Sequence, residues 1–325
     1  MNALNEEIGG AKFEEWRQFN GGAVWKVEQS TIPERSYHRR VLLHLEPSDG
    51  VVWSPVTLED LNILLHTSDS GVRLILLFGG GSGEDAFESI VHKMQVAFES
   101  ADGRVKGIVR ALDHLRSYLE LFARKKNLFP SKQTLRGVLG ELMTFRRLHE
   151  MGMSMSVLLD SWQGPCGGHQ DFIFEGSGTA IEVKSALALE AKVRVSNERQ
   201  LDESGFEALF LCVVRWKEAP GGVDVPTMVN RIMSMMSSGE REKLESMLEE
   251  HLKLPRWIRE LLPPYRLMEL EASPLCYEVL PDSPVLRQSD LEEPVSMVAY
   301  DLHYSALEPS RCELDGMVKR LNGQQ

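Results

Sequence analysis

A short β-hairpin pattern that carries three ionisable side chains constrains the fold more than any other part of the sequence. Asp171 opens one run of β-forming residues, and Glu182 and Lys184 lie in a second run, after a Gly-Ser-Gly turn. A turn centred on Gly176 and Ser177 puts Asp171 directly opposite Glu182. Because side chains alternate along a strand, Glu182 and Lys184 share one face. The pattern therefore predicts two carboxylates and one amine on the same side of a two-stranded ribbon.

Two carboxylates on neighbouring strands repel each other, and this repulsion indicates a cation site. Oxygen ligands suit Mg²⁺ or Mn²⁺, and the backbone carbonyl of Val183 offers a further oxygen. Such a metal polarises a phosphoryl oxygen and activates a water, while Lys184 positions or deprotonates that water. This chemistry fits the hydrolysis of a phosphodiester. An exposed ion pair of Glu182 with Lys184 on a solvated strand is the alternative interpretation of the same residues.

The spacing of Asp171, ten intervening residues and then Glu182-x-Lys184 resembles the PD-(D/E)XK motif of restriction-endonuclease-like nucleases. The resemblance implies an α/β fold with an αβββαβ core, and the elements predicted over 134–216 follow that order. It also implies a Mg²⁺-dependent DNA endonuclease in which Asp171 and Glu182 bind the metal and Lys184 assists the attacking water. Gln170 stands where many members have proline, at a position that does not touch the metal.

Two further positions match residues that members of this family place at the site. Glu141 lies beside the apolar stripe of a predicted helix, and the resemblance implies that it is a third metal ligand. Gln200 matches a glutamine that reaches the site in several branches. The words GEL, W-x-GP, DF and IEVK look like a bacterial group of this superfamily whose genes often sit beside restriction or phage-defence genes. The resemblance thus implies DNA as substrate and other defence-system subunits as possible partners. Because double-strand cutting requires two sites, it also implies a homodimer or a partner.

Basic residues are concentrated in one part of an acidic chain. The formal net charge is −12, yet residues 104–147 contain 11 Lys or Arg and 3 Asp or Glu. Such a segment can bind a phosphate backbone. Arg136, Arg146 and Arg147 share the helix of Glu141 and are candidates for holding phosphates, with ordinary surface charges as the alternative. The acidic remainder favours a second hypothesis, a non-cutting subunit that binds DNA or partner proteins. An RNase shares the metal chemistry and stays open.

His169 and Trp162, which both precede Asp171 in the sequence, each have a structural and a functional interpretation. His169 is expected to be an exposed loop histidine, with assistance in proton transfer as the alternative. Trp162 is expected to pack in the core rather than to stack on a base.

A break at 127–130 divides the chain, and we expect three regions. These are an N-terminal α+β region over 1–128, a nuclease core over 129–220 and a C-terminal extension over 221–325 that is mainly helical with some strands. Strands are predicted at 41–45, 72–78, 171–175, 180–185, 192–196 and 208–216, and helices at 84–100, 104–126, 134–151, 198–204, 227–254 and 255–262. The glycine-rich segment 79–83 lacks the spacing of a phosphate loop and is interpreted as a connector. With no apolar run of membrane-spanning length and no secretory signal, the sequence predicts a cytoplasmic protein that does not enter the membrane.

Overall fold

The computed structural model describes residues 17–18, 24–28, 39–46, 49, 51, 53–58, 61–68, 71–78, 84–164, 168–250 and 252–323. The chain divides into two compact units, Met1–Leu128 and Phe129–Gln325. This division coincides with the first boundary expected from the sequence. The glycine-rich segment 79–83, interpreted above as a connector, lies outside the described residues. No helix in the described ranges has the length and apolar character needed to cross a membrane.

The first unit contains an antiparallel sheet followed by two helices. The sheet has the strand order β1-β2-β3-β6-β5-β4. Its strands are β1 (Arg17–Gln18), β2 (Val24–Glu28), β3 (Arg39–Leu45), β4 (Val56–Thr57), β5 (Leu61–Ser68) and β6 (Gly71–Phe78). Alternate residues of β6 are buried, as Leu74 and Leu76 show. The helices α1 (Glu84–Glu99) and α2 (Arg104–Lys125) pack against each other.

The second unit is built on a mixed sheet with the strand order β14-β12-β10-β8-β7, and β11 pairs with β10 beside this path. Its helices are α3 (Lys132–Glu150), α4 (Met155–Ser161), α5 (Val225–Met233), α6 (Ser238–Glu250), α7 (Arg256–Leu261) and α8 (Leu314–Leu321). Its strands are β7 (Phe172–Phe174), β8 (Thr179–Leu187), β9 (Val193–Val195), β10 (Ala208–Val223), β11 (Leu267–Glu269), β12 (Leu275–Val279), β13 (Tyr300–Leu302) and β14 (Arg311–Cys312). β7 runs antiparallel to β8, whereas β10 runs parallel to it.

Helix α3 lies close to β8 because of one glycine. The Ser131 side chain caps the helix by accepting the backbone N–H of Thr134 at 3.0 Å. A Cβ atom on Gly140 would lie only 2.2 Å from the Ser185 hydroxyl on β8, so glycine is required for this approach. A Cβ atom on Gly137 would meet nothing within 4 Å among the described atoms, so this second glycine is not needed for packing. The predicted apolar stripe of this helix is buried in full.

The predicted helix over 198–204 is wrong. This stretch forms turns and one short 3₁₀ turn, Glu203–Gly205. The Asn197 side chain accepts the backbone N–H of Arg199 at 2.9 Å, and Asp202 accepts that of Ser204 at 3.1 Å. Such local side-chain bonds compete with helical hydrogen bonds and favour turns. In addition, β9 pairs with β13 instead of joining the main sheet.

The predicted boundary at 220/221 is not a boundary between compact units, because β10 continues through it to Val223. The residues from Ala208 to Val214 are all buried, and a strand buried on both faces needs neighbours at both edges. β8 pairs along one edge, and β12 and β11 supply the partners along the other. The C-terminal region therefore contains strands as well as helices, as expected, and its strands complete the sheet.

Candidate active site

The hairpin brings Asp171 to Glu182 in the register that the turn predicts. Phe172 pairs with Ile181 in the ladder of β7 and β8, and Asp171 comes directly before this pair. The Asp171 Oδ2 atom accepts the backbone N–H of Val183 at 2.7 Å. This bond holds the carboxylate against the edge of β8 that carries the predicted motif.

Lys184 lies between two side-chain oxygens. Its Nζ atom is 2.6 Å from Glu182 Oε1 and donates to Gln200 Oε1 at 2.8 Å. Gln200 Oε1 also accepts the backbone N–H of Ser196 at 2.7 Å, so the turn after β9 holds the glutamine in place. The Glu182 side chain is only 1% exposed and that of Lys184 13%. The interpretation of this pair as a solvated surface ion pair is therefore wrong.

Glu141 reaches the same region from helix α3 and is held there by Trp162. The indole Nε1–H donates to Glu141 Oε2 at 2.8 Å. The Trp162 ring is fully buried and stacks on Phe172 with a centroid distance of 6.4 Å. Trp162 thus packs in the core, as expected, but it also orients a site carboxylate. The sequence analysis missed this second role.

Gly164 is a further residue of the site that the sequence analysis missed. A Cβ atom at this position would lie 2.4 Å from Glu141 Oε2 and 3.0 Å from Asp171 Oδ1. The two carboxylates therefore face the same point beside the Gly164 backbone. The N–H groups of Gln163 and Gly164 both donate to the Asp171 carbonyl, at 2.7 and 3.0 Å, and fix this approach. The W-x-G spacing from Trp162 to Gly164 was the available signal.

All three carboxylates have raised pKa values. Burial, followed by the charge of Asp171, raises the pKa of Glu182 to about 8 against the opposing effect of Lys184. Burial raises the pKa of Asp171 to about 6, although Lys184 and the Val183 N–H oppose the shift. Burial and then the Asp171 charge hold the pKa of Glu141 well above its usual range. The site therefore disfavours the charged forms of its carboxyl groups, and a bound cation would favour those charged forms.

The donor set of the site suits a hard divalent cation, although it is not preassembled. Among the described residues, no group of three or more His, Cys, Asp or Glu side chains is arranged to hold a metal ion as it stands. Glu182 Oε2, however, is buried and has no hydrogen-bond partner in that part of the chain. The bonds of Asp171 and Glu141 recorded above engage only one oxygen of each carboxylate. Carboxylate oxygens are the ligands that Mg²⁺ and Mn²⁺ prefer.

The three candidate phosphate-binding arginines already pair with carboxylates. Arg136 lies 3.4 Å from Glu190, Arg146 lies 3.5 Å from Glu150, and Arg147 lies 3.3 Å from Glu269. Their side chains are 15–25% exposed. Phosphate binding by any of them would compete with an existing ion pair. His169 is exposed, as expected, and its Nε2 atom lies 3.4 Å from the Arg199 guanidinium.

Comparison with known families gives one match, and it covers most of the chain. A family model described as "Putative PD-(D/E)XK family member, (DUF4420)" matches residues 30–305. The match spans both units and includes every site residue discussed above. No curated protein and no solved structure matches the chain.

Proposed function

Since the chain belongs to this family of PD-(D/E)XK type, we propose that it is a Mg²⁺-dependent endonuclease that hydrolyses phosphodiester bonds of DNA. One observation carries the proposal. Three carboxylates, those of half-buried Glu141 on α3, half-buried Asp171 before β7 and buried Glu182 on β8, lie next to a lysine that contacts one of them. A fold gains no stability from burying so much like charge, whereas a metal-dependent nuclease requires it.

The metal would be held by Glu141, Asp171 and Glu182, with Val183 supplying a backbone oxygen. The N–H and C=O groups of one strand residue point to the same neighbour. Because the Val183 N–H faces Asp171, its carbonyl faces the same side. When bound, Mg²⁺ or Mn²⁺ supplies polarisation of the scissile phosphate and a more nucleophilic water. Glu182 Oε2, which lacks a hydrogen bond within the described residues, is the oxygen most ready to act as a ligand.

Lys184 would contribute the positive charge that the reaction needs at the phosphate. Glu182 Oε1 and Gln200 Oε1 occupy two directions around its ammonium group and fix its position. An ammonium group has three donors, so one remains to orient the attacking water or to stabilise the charge that builds up on the phosphate oxygens. Gln200 is therefore a positioning residue, since it acts through Lys184.

Trp162→Phe tests whether the indole N–H serves the site. Phenylalanine keeps an aromatic ring against Phe172 but removes the donor that holds Glu141. We expect Mn²⁺ affinity, measured by calorimetry, and the DNA cleavage rate to fall roughly 10–100-fold, the usual cost of losing a residue that orients a metal ligand.

Trp216→Phe is the matched control for this variant. Trp216 is equally buried, but its indole donates to the Ser185 hydroxyl at 3.1 Å and not to a site carboxylate. Comparable losses of Mn²⁺ affinity in both variants would mean that Trp162 contributes only packing.

Incubation of the purified full chain with supercoiled plasmid DNA tests the function itself. We expect nicking or linearisation with Mg²⁺ or Mn²⁺ and none with a chelator. A single site per chain predicts that nicks precede linear product unless two copies act together. Cleavage of single-stranded RNA but not of DNA would change the substrate to RNA. Metal binding without cleavage of either polymer would instead support the non-cutting subunit.

A further inference from the structure

The turn that follows β8 presents a leucine to solvent. Leu189 is 99% exposed, whereas Leu121 and Met297, the next most exposed large apolar side chains in the described ranges, are 67% exposed. A single exposed leucine on a loose loop would need no explanation. This one lies on a turn that many bonds hold in place.

Backbone hydrogen bonds fix both sides of Leu189. The N–H of Ala188 donates to the Trp216 carbonyl on β10 at 2.8 Å, and the N–H of Glu190 donates to the Leu187 carbonyl at 2.8 Å. The N–H of Leu187 in turn donates to the Glu190 carboxylate at 2.6 Å. The turn therefore closes on itself and is tied to the neighbouring strand.

Three side chains from other elements add to this anchoring. Arg215 donates to the Ala188 carbonyl at 3.3 Å, and the Tyr304 hydroxyl donates to the Glu190 carbonyl at 3.1 Å. Arg136 on α3 lies 3.4 Å from the Glu190 carboxylate. Leu189 is thus a fully exposed apolar side chain on a turn that hydrogen bonds hold rigid.

The turn that carries Leu189 directly follows β8, the strand that carries Glu182 and Lys184. Leu189 follows Lys184 by five residues. At about 3.3 Å per residue, their Cα atoms are no more than roughly 17 Å apart. This span corresponds to roughly five base-pair steps of duplex DNA at 3.4 Å each. A duplex that runs along β8 from a scissile phosphate at Lys184 would come within reach of Leu189.

The surroundings of Leu189 fit insertion into DNA better than a protein interface. Ala188, Glu190, Ala191 and Lys192 flank it along the chain, and the nearest large apolar residue in sequence, Leu187, is half-buried within β8. Protein interfaces bury a contiguous core that is depleted of charge. Apolar wedges that unstack DNA are single side chains. Because unstacking two base pairs costs a few kcal/mol, the turn that carries the wedge must resist deformation more strongly than the stacked bases do.

We propose that Leu189 is a wedge that inserts between base pairs of the bound DNA, within about five steps of the cut. The inference rests on the proposed function, because it requires duplex DNA at the site. It goes beyond that function by assigning a substrate contact, and a deformation of the substrate, to a residue outside the catalytic motif.

Fluorescence of 2-aminopurine tests the wedge, because this base brightens when it is unstacked. Duplexes carrying it at several positions are titrated with the full chain bearing Asp171→Asn, which prevents cleavage. We expect a several-fold increase in fluorescence on binding. Leu189→Ala in the same background should abolish the increase and weaken binding about tenfold. Leu121→Ala, an exposed leucine on α2, is the matched control and should change neither.

Several outcomes would overturn the wedge. The first is a Leu189→Ala variant that shows the same increase in fluorescence as the protein with Leu189. The second is DNA binding by the protein with Leu189 that produces no increase in fluorescence. The third is a Leu189→Ala variant that loses self-association or partner capture but still unstacks DNA. Because Leu189 is exposed, its replacement should not alter the melting temperature, and a large decrease would also count against the proposal. Hydrolysis of bis(p-nitrophenyl) phosphate separates the two hypotheses, since this small diester needs the carboxylates but no wedge. Unstacking without hydrolysis of any diester would remove the nuclease function, and with it the position of the wedge relative to a cut, whereas the insertion of Leu189 into DNA would stand.

Discussion

Asp171→Asn is expected to abolish metal-dependent DNA cleavage while the protein stays folded. Asparagine keeps a carbonyl oxygen that can accept the Val183 N–H, so the contact that holds residue 171 against β8 survives. What is lost is the charge that would bind the metal. A metal contributes several kcal/mol to transition-state stabilisation, which corresponds to a rate loss on the order of a thousandfold. Cleavage rates and Mn²⁺ titrations, with circular dichroism to follow the fold, measure the effect.

Asp160→Asn is the matched control for this experiment. Asp160 lies on α4 close to the site in sequence, but its exposed carboxylate pairs with Lys243. Losing one surface ion pair should cost at most about 1 kcal/mol of stability and leave cleavage intact. If Asp171→Asn cut DNA as fast as Asp160→Asn, the assignment of the site would be untenable.

Glu182→Gln is expected to stabilise the metal-free protein at pH 8 while it abolishes cleavage. The pKa of Glu182 rises from 4.5 to about 8 on folding, so the folded protein holds a proton that the unfolded chain releases. The contribution of Glu182 to stability is therefore greatest below pH 4.5 and is lost as the pH rises through about 8. One such group changes the free energy of unfolding by at most about 1.4 kcal/mol per pH unit. Glutamine carries no charge and removes this dependence, so the variant should be more stable than the wild type by a few kcal/mol at pH 8 (~3.5 pKa units at about 1.4 kcal/mol each is the upper limit).

Urea unfolding between pH 5 and 8, in a chelator, measures this difference. Mg²⁺ or Mn²⁺ should flatten the pH dependence of the wild type, because a bound cation replaces the proton. Glu198→Gln is a control in which the effect on stability should change with pH in the opposite direction. The backbone N–H groups of Glu198 itself, Val298 and Met297 lower the pKa of that carboxyl, so its stabilising effect is present at high pH. A wild-type free energy of unfolding that does not change with pH would contradict the raised pKa of Glu182. So would a Glu182→Gln variant that is less stable than the wild type at pH 8.

The parts of the site that follow local rules could be predicted from the sequence. Strand alternation and the turn length fixed the register of Asp171 with Glu182, because a slip of one residue would have moved every side chain to the other face. Apolar periodicity placed helix α3 and hence Glu141. The hydrogen bond from Trp162 could not be predicted, because the direction of a buried donor depends on how α3 packs against the hairpin.

The remaining errors also have physical causes. The stretch 198–204 has helix-like composition, but Asn197 and Asp202 bond to their own backbone and prevent the helix. Gln200 nevertheless contacts Lys184, because a turn can present a side chain as well as a helix can. Pro220, Gly221 and Gly222 have the composition of a loop, which favours a boundary at 220/221, yet β10 passes through them. Proline and glycine residues mark turns reliably only where pairing with distant strands does not override their local preference.

The pairing of β10 with strands on both sides has a consequence for how the part of the chain that carries the candidate site can be exchanged or shortened. Residues 129–220 hold every side chain of the catalytic motif, yet excising them would strip β12 and β11 from an apolar strand. Its open edge would then offer unsatisfied backbone groups to any other chain, the condition under which strands aggregate. The candidate site and the strands that cover its sheet thus lie in different parts of the chain, and a recombination event that separated them is expected to yield an insoluble protein with an intact motif.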